Sequence, residues 1–155
     1  FHSTPTSREG VDDLVKLGVP VLKNGADYWT NEALPEYMLQ TGLPCVFSTA
    51  EGHGPEDIWE VDLPDFQFIV LHTVREYPAK MWDMERFMMI KSIYPLVGYS
   101  DHTSGVSAAI ESFKLGAIWY EAHLTLDKTM HGPDHWYSKD PTEMKQIVEA
   151  ARTIR

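Results

Sequence analysis

One arrangement of apolar and polar positions recurs along this chain: an amphipathic helical stretch stops at a glycine, and a short apolar run follows at once. Val11 to Gly18 leads into Val19 to Leu22, Leu34 to Gly42 into Pro44 to Phe47, and Val106 to Gly116 into Ala117 to Tyr120. A glycine just past a helix supplies the left-handed residue that ends it and turns the chain back toward a sheet. Two further apolar runs, Phe66 to His72 and Leu96 to Tyr99, bring the predicted strands to five. Helical spacing predicts helices near 7–17, 31–41, 82–93, 104–115 and 140–154. The last opens with Asp140 as N-cap, Pro141 at N1 and Glu143 at N3. The segment Glu51 to Asp65 is rich in glycine, proline and acid and reads as a loop with at most one helical turn, at Pro55 to Trp59. Met81, Met84, Met88 and Met89, with Trp82 and Phe87, recur at helical spacing and are expected in the core.

Strands alternating with helices imply a parallel sheet with covered faces. Five strands in 155 residues suit an open, flavodoxin-like sheet, whereas a closed eight-stranded barrel takes about 250 residues. In either architecture the site lies at the carboxyl ends of the strands. There the sequence places Lys23-Asn24, Ser48-Thr49, His72 to Tyr77, Ser100-Asp101-His102 and Glu121-Ala122-His123.

Composition narrows what such a site does. With 43% hydrophobic and 23% charged residues the chain reads as one globular domain over 1–155. A net charge of -10 repels nucleic acid and anionic membrane surfaces, so an anionic metabolite has to be held by local donors or a metal. Cys45 is the single cysteine, which excludes an intrachain disulfide and fits a reducing cytosol, and no apolar stretch approaches the roughly 18 residues that span a bilayer.

His102 and His123 end neighbouring strands, within reach of one divalent ion such as manganese or zinc; the other reading is that each bonds a loop carbonyl. Glu121 and His123 are two apart, so they share a face. Lys23 closes an apolar strand, either as a lysine snorkelling at the sheet rim or as a partner for phosphate or carboxylate. His131, Asp134 and His135 share a Gly-Pro-containing loop with structural uses of its own. His2, His53 and His72 read as structural or exposed.

Val97-Gly98-Tyr99-Ser100-Asp101-His102-Thr103, Leu115-Gly116-Ala117, Glu121 to Lys128 and Gly132-Pro133-Asp134-His135 resemble, in order and spacing, the N-acetylneuraminate (sialic acid) synthase family. Ser3-Thr4-Pro5, Leu17 to Lys23, Thr30-Asn31, Thr41-Gly42 and Phe47-Ser48-Thr49 look like upstream landmarks of the same barrel. The resemblance implies a partial (β/α)8 TIM barrel of about strands four to eight, with Phe1 to Pro5 as the tail of the third strand. It implies a cytoplasmic enzyme that condenses phosphoenolpyruvate with an N-acetylated amino sugar. By similarity, Thr4, Lys23, Ser48 and Ser100 hold phosphoenolpyruvate, Tyr77, Glu121 and Asp134 hold the sugar, and Glu121 moves the proton. His102 and His123 ligate a divalent metal: Mn2+, or Mg2+, Co2+ or Zn2+. Ala26, Ala50 and Arg75 depart from the family pattern, and the loop from Glu51 to Asp65 is shorter than usual. They raise the alternative of a truncated or degenerate relative that binds metal or phospho-ligand without turnover. A chain opening at Phe1 with strands four to eight is expected to be a fragment, or to self-associate to cover two open sheet edges.

Overall fold

The computed structural model describes residues 1–28, 33–49 and 68–154. In chain order the elements are α1 (Arg8–Lys16), β1 (Leu22–Asn24), a 3-10 turn (Ala26–Tyr28), α2 (Ala33–Gln40) and β2 (Cys45–Ser48). There follow β3 (Phe68–Thr73), α3 (Met84–Ile93), β4 (Val97–Asp101), α4 (Ser107–Lys114), β5 (Trp119–Ala122) and α5 (Pro141–Ile154). The expected loop over Glu51 to Asp65, and His53 within it, lie outside the described residues.

Local chemistry sets the boundaries. Ser7 caps α1 through its hydroxyl, which accepts from Gly10 N, and Asp83 caps α3 by accepting from Arg86 N. Asp140 accepts from the backbone of Thr142 and Glu143 while Glu143 takes the Asp140 N–H, a complete capping box for α5. Gly18, Gly42 and Gly116 sit at φ of 72°, 73° and 94°, as the three helix stops predict. β1 and β5 begin later than expected, at Leu22 and Trp119. Pro20 has no N–H to give a ladder, and Ala117 N is spent on Ser112 O at the end of α4. Residues 1–5 are coil ahead of α1, not the tail of a strand. Among the described residues no ladder holds them to β1.

The five strands are parallel and their spatial order is their chain order, β1-β2-β3-β4-β5. A flavodoxin-like sheet reverses direction at its switch point; here every crossover steps the same way, as in a (β/α)8 barrel. Curvature supports the same conclusion. Four strand spacings put β1 about 19 Å from β5 in a flat sheet. Yet Lys23 on β1 lies 3.3 Å from Glu121 on β5, so the sheet curls into a half-barrel.

Side-chain parity then separates two environments. Leu22, Cys45, Phe47, Val70 and Val97 face outward, where Val11, Met38, Phe87, Ile90, Phe113 and Ile147 from the helices cover them in one core. Each large apolar side chain buried there contributes about 1.5–3 kcal/mol. Lys23, Ser48, Leu71, Thr73, Gly98, Ser100, Trp119 and Glu121 hold the opposite parity and line the concave face. A Cβ at Gly98 would stand 2.5 Å from Leu71 Cδ2 and 2.6 Å from Trp119 O, so glycine is what lets β4 bend between them. The methionine expectation fails. Only Phe87 of that group is buried and Trp82 is half-covered, while Met81, Met84, Met88 and Met89 are 41–74% exposed. Phe87 and Ile90 already fill the narrow contact of α3 with the sheet, which leaves the rest of the helix outside.

Candidate active site

The inward polar residues form two layers at the carboxyl end of the half-barrel. In the lower layer, Ser100 and Glu121 are register partners on β4 and β5, and Ser100 Oγ donates to Glu121 Oε1 at 2.9 Å. Lys23 Nζ reaches the same oxygen at 3.3 Å and donates to Asn24 O. Lys23 is only 5% exposed, so its ammonium meets little water and depends on these partners. Ser48 and Thr73 face the same space. Both are buried, and among the described residues neither hydroxyl has a hydrogen-bond partner. A buried cation beside unsatisfied hydroxyls is a ready set of donors for an anion.

The upper layer stands two residues further along β4 and β5. His102 Nδ1 lies 2.7 Å from Val74 O, so that nitrogen carries the proton and Nε2 keeps the lone pair. Burial holds the His102 imidazole below the usual histidine range, against the pull of the Val74 carbonyl. A neutral ring is the metal-binding form. His123 packs edge-on with a ring separation of 5.4 Å, and its Nδ1 is 3.5 Å from Asp134 Oδ2. Tyr137 donates to Asp134 at 2.9 Å, which holds the carboxylate toward His123. Tyr77 lies over His102 at 4.1 Å and 6.0 Å from His123, half-exposed at the rim. Burial raises the Tyr77 hydroxyl above its ordinary range, so it stays a neutral donor. Among the described residues no three His, Cys, Asp or Glu donors converge on one point. The arrangement suits a cation that takes two imidazoles and fills its shell with water or substrate oxygens.

The predicted residues therefore assemble with one exception. Lys23, Ser48, Ser100, Glu121, His102, His123, Tyr77 and Asp134 surround one mouth. Thr4 is exposed on the N-terminal coil and makes no hydrogen bond to them among the described residues. His135 and His131 stay outside; His135 Nδ1 is tied to Thr125 Oγ1 at 2.7 Å as part of the loop scaffold. Arg75 pairs with Asp27 across the rim, both partly exposed, a contact worth little to stability. Thr73 was legible only as one residue of the polar stretch from His72 to Tyr77. The signal that singles it out is its register with Ser100.

His72, read as structural or exposed, is fully buried on the outward parity, stacked on Tyr99 and beside Trp82. Asp101, between Ser100 and His102, also points outward. It accepts from Thr103 N and Oγ1 and from the hydroxyls of Tyr99 and Tyr120, and lies 3.0 Å from Lys139 Nζ.

A curled parallel half-barrel with anion donors below and paired imidazoles above, all at the carboxyl ends of its strands, is the architecture of a (β/α)8-barrel enzyme. The chain belongs to the NeuB family, whose model matches residues 1–155. It is 39% identical to an uncharacterized protein of Methanocaldococcus jannaschii, over 99% of this chain and 48% of that one. It is 33% identical to the N,N'-diacetyllegionaminic acid synthase of Legionella pneumophila, over 98% of this chain and 46% of the relative. Among solved structures, the Bacillus subtilis spore coat polysaccharide biosynthesis protein SpsE superposes with a TM-score of 0.89 at 27% identity, covering 99% of this chain and 46% of that one. The chain thus spans about half the length of the relatives it matches. Among the described residues no helix is long and apolar enough to cross a membrane.

Proposed function

We propose that this barrel segment serves a sialic-acid-type synthase, which joins phosphoenolpyruvate to an N-acetylated amino sugar such as N-acetylmannosamine and releases phosphate and a nine-carbon acid. The observation that carries the reading is the buried Lys23 on the same concave face as Ser48 and Thr73, whose hydroxyls have no partner among the described residues, one layer beneath His102 and His123. Lys23, Ser48 and Ser100 would hold the phosphate and carboxylate of phosphoenolpyruvate, with Thr4 as a further donor by resemblance. Tyr77, Asp134 and Glu121 would orient the sugar. In the reaction C3 of phosphoenolpyruvate bonds to the sugar's aldehyde carbon, water adds at C2, and the C2–O bond to phosphate breaks to leave a ketone. Glu121, which contacts Lys23 and Ser100, would give or take the proton as the aldehyde oxygen becomes a hydroxyl. A divalent cation held by His102 and His123, manganese for preference, supplies Lewis acidity toward that oxygen when bound. A single free cysteine, Cys45, supports a cytoplasmic setting.

The test is manganese-dependent release of inorganic phosphate from phosphoenolpyruvate in the presence of N-acetylmannosamine. Release is expected to fall at least about 100-fold in His102→Ala, His123→Ala and Glu121→Gln. Phosphoenolpyruvate that binds, and is lost in Lys23→Met, without any phosphate release would instead favour a ligand-binding relative without turnover. That second reading draws on Arg75, which departs from the family pattern and pairs with Asp27 at the rim.

A further inference from the structure

The helix α3 turns an apolar face away from the barrel. Met84 and Met88 form one stripe, Met89 and Ile93 the next, and all four are 41–50% exposed. Soluble proteins rarely leave a contiguous apolar band of this kind uncovered unless something docks on it. At its N-terminal end the band runs into a groove of about 600 Å³ between α3 and α4, floored by Met81, Trp82 and Met84. One side of the Trp82 indole packs on Phe87 and Tyr99, and its N–H is satisfied by Glu111 at 2.9 Å. The ring therefore needs no further polar partner and offers the groove an aromatic surface.

The rim of the groove is acidic. Glu76, Asp83, Glu85 and Glu111 all line it, and Lys80 pairs with Glu76 at 3.1 Å. Carboxylates around a floor of methionine and tryptophan select their occupant. Thioethers adapt to varied apolar side chains, an indole face attracts a lysine or arginine head, and acidic groups repel an acidic partner. A second copy meeting this face about a twofold axis would set four carboxylates against four, in a chain whose net charge is already -10. Self-docking is disfavoured on that ground.

We infer that the α3–α4 groove and the methionine face of α3 form a docking site for a basic, amphipathic helical segment of a partner protein, engaged by apolar anchors and encircled by Lys or Arg. The groove opens on the outside of the half-barrel, and Val74, which lines it, also accepts from His102 Nδ1, so it adjoins the proposed site; peptide binding there does not require turnover.

The test titrates the protein with three labelled synthetic peptides of about 18 residues, long enough to cover the length of α3. One carries leucine and lysine at helical spacing, one leucine and glutamate at the same spacing, and one the first composition in scrambled order. Anisotropy and tryptophan emission report binding. The basic amphipathic peptide is expected to bind at least tenfold more tightly than either control. Glu76→Lys with Glu85→Lys should weaken it at least tenfold, and Met84→Ser with Met88→Ser at least fivefold. Asp13→Lys with Glu149→Lys, which changes net charge equally on exposed faces of α1 and α5, should change it less than twofold. Circular dichroism establishes that each variant is folded. Equal binding of the acidic or scrambled peptide, or equal weakening by the remote charge reversals, would overturn the proposal. So would sedimentation showing a dimer that Met88→Ser dissociates, which would give the face to a second copy.

Discussion

Replacing Lys139 with Met removes the ammonium facing Asp101 in a pair whose side chains are 1% and 0% exposed. Breaking a buried pair from one side costs about 3–5 kcal/mol, because the remaining charge is stranded. Asp101 would keep its donors from Thr103, Tyr99 and Tyr120, which places Lys139→Met at the lower end, about 3 kcal/mol. Asp101→Asn leaves the Lys139 ammonium with the Thr103 carbonyl, 2.6 Å away, and belongs at the upper end, about 5 kcal/mol. Once either charge is gone the second substitution removes the stranded partner, so the double variant should cost no more than about 3 kcal/mol and not the sum of about 8. For a chain of this size, about 3 kcal/mol lowers Tm by roughly 6–12 °C. Urea unfolding at pH 7, followed by tryptophan emission, measures all four corners of the cycle. Hydrogen exchange supplies the local readout. Lys139 also bridges Leu124 and immediately precedes the α5 cap, so α5 amides should open at lower free energy in Lys139→Met. Costs that add within about 0.5 kcal/mol would refute the coupling on which the argument rests.

Two further outcomes follow from burial. His72 is held neutral, its imidazole pushed down to about 4 by burial, against an unfolded value near 6.5. Between those values the unfolded chain binds the proton and the folded chain does not. Stability is therefore full above about pH 6.5 and falls as pH drops toward 4, by on the order of 3 kcal/mol; His72→Leu should flatten that slope, and an unchanged slope would sink the assignment. Cys45 is 1% exposed and its thiol is pushed up to about 12 by burial, so a disulfide reagent at pH 8 should react at least ~100-fold more slowly with the native protein than with the chain in guanidinium.

Much of this fold is written locally. Each helix stop at Gly18, Gly42 and Gly116 is a decision made within one turn, and the capping box at Asp140 lies within four residues, so both survive into the structure unchanged. What the chain does not carry locally is phase. His72 and His102 both close apolar runs and look alike as strand-end histidines, yet the first is sealed under α3 and the second faces the mouth. Parity decides between them, and its reference is the pairing of Leu71 with Gly98 and of Thr73 with Ser100 across the sheet. The exposed methionines of α3 escaped for a related reason, since helical spacing marks an apolar stripe but not whether a neighbour exists to cover it.

The same alternation changes how the run Ser100-Asp101-His102 is to be understood. Ser100 and His102 point into the mouth, whereas Asp101 points back under α4 and α5, to Lys139, 38 positions away in sequence. A substitution at Asp101 would diminish any activity of this site through the anchoring of β4 and of the segment that leads to α5, without the carboxylate meeting substrate. The two kinds of loss separate by measurement. An Asp101 variant should lose stability along with activity, whereas Tyr77→Phe, on an exposed side chain at the mouth, should change Tm by less than about 3 °C.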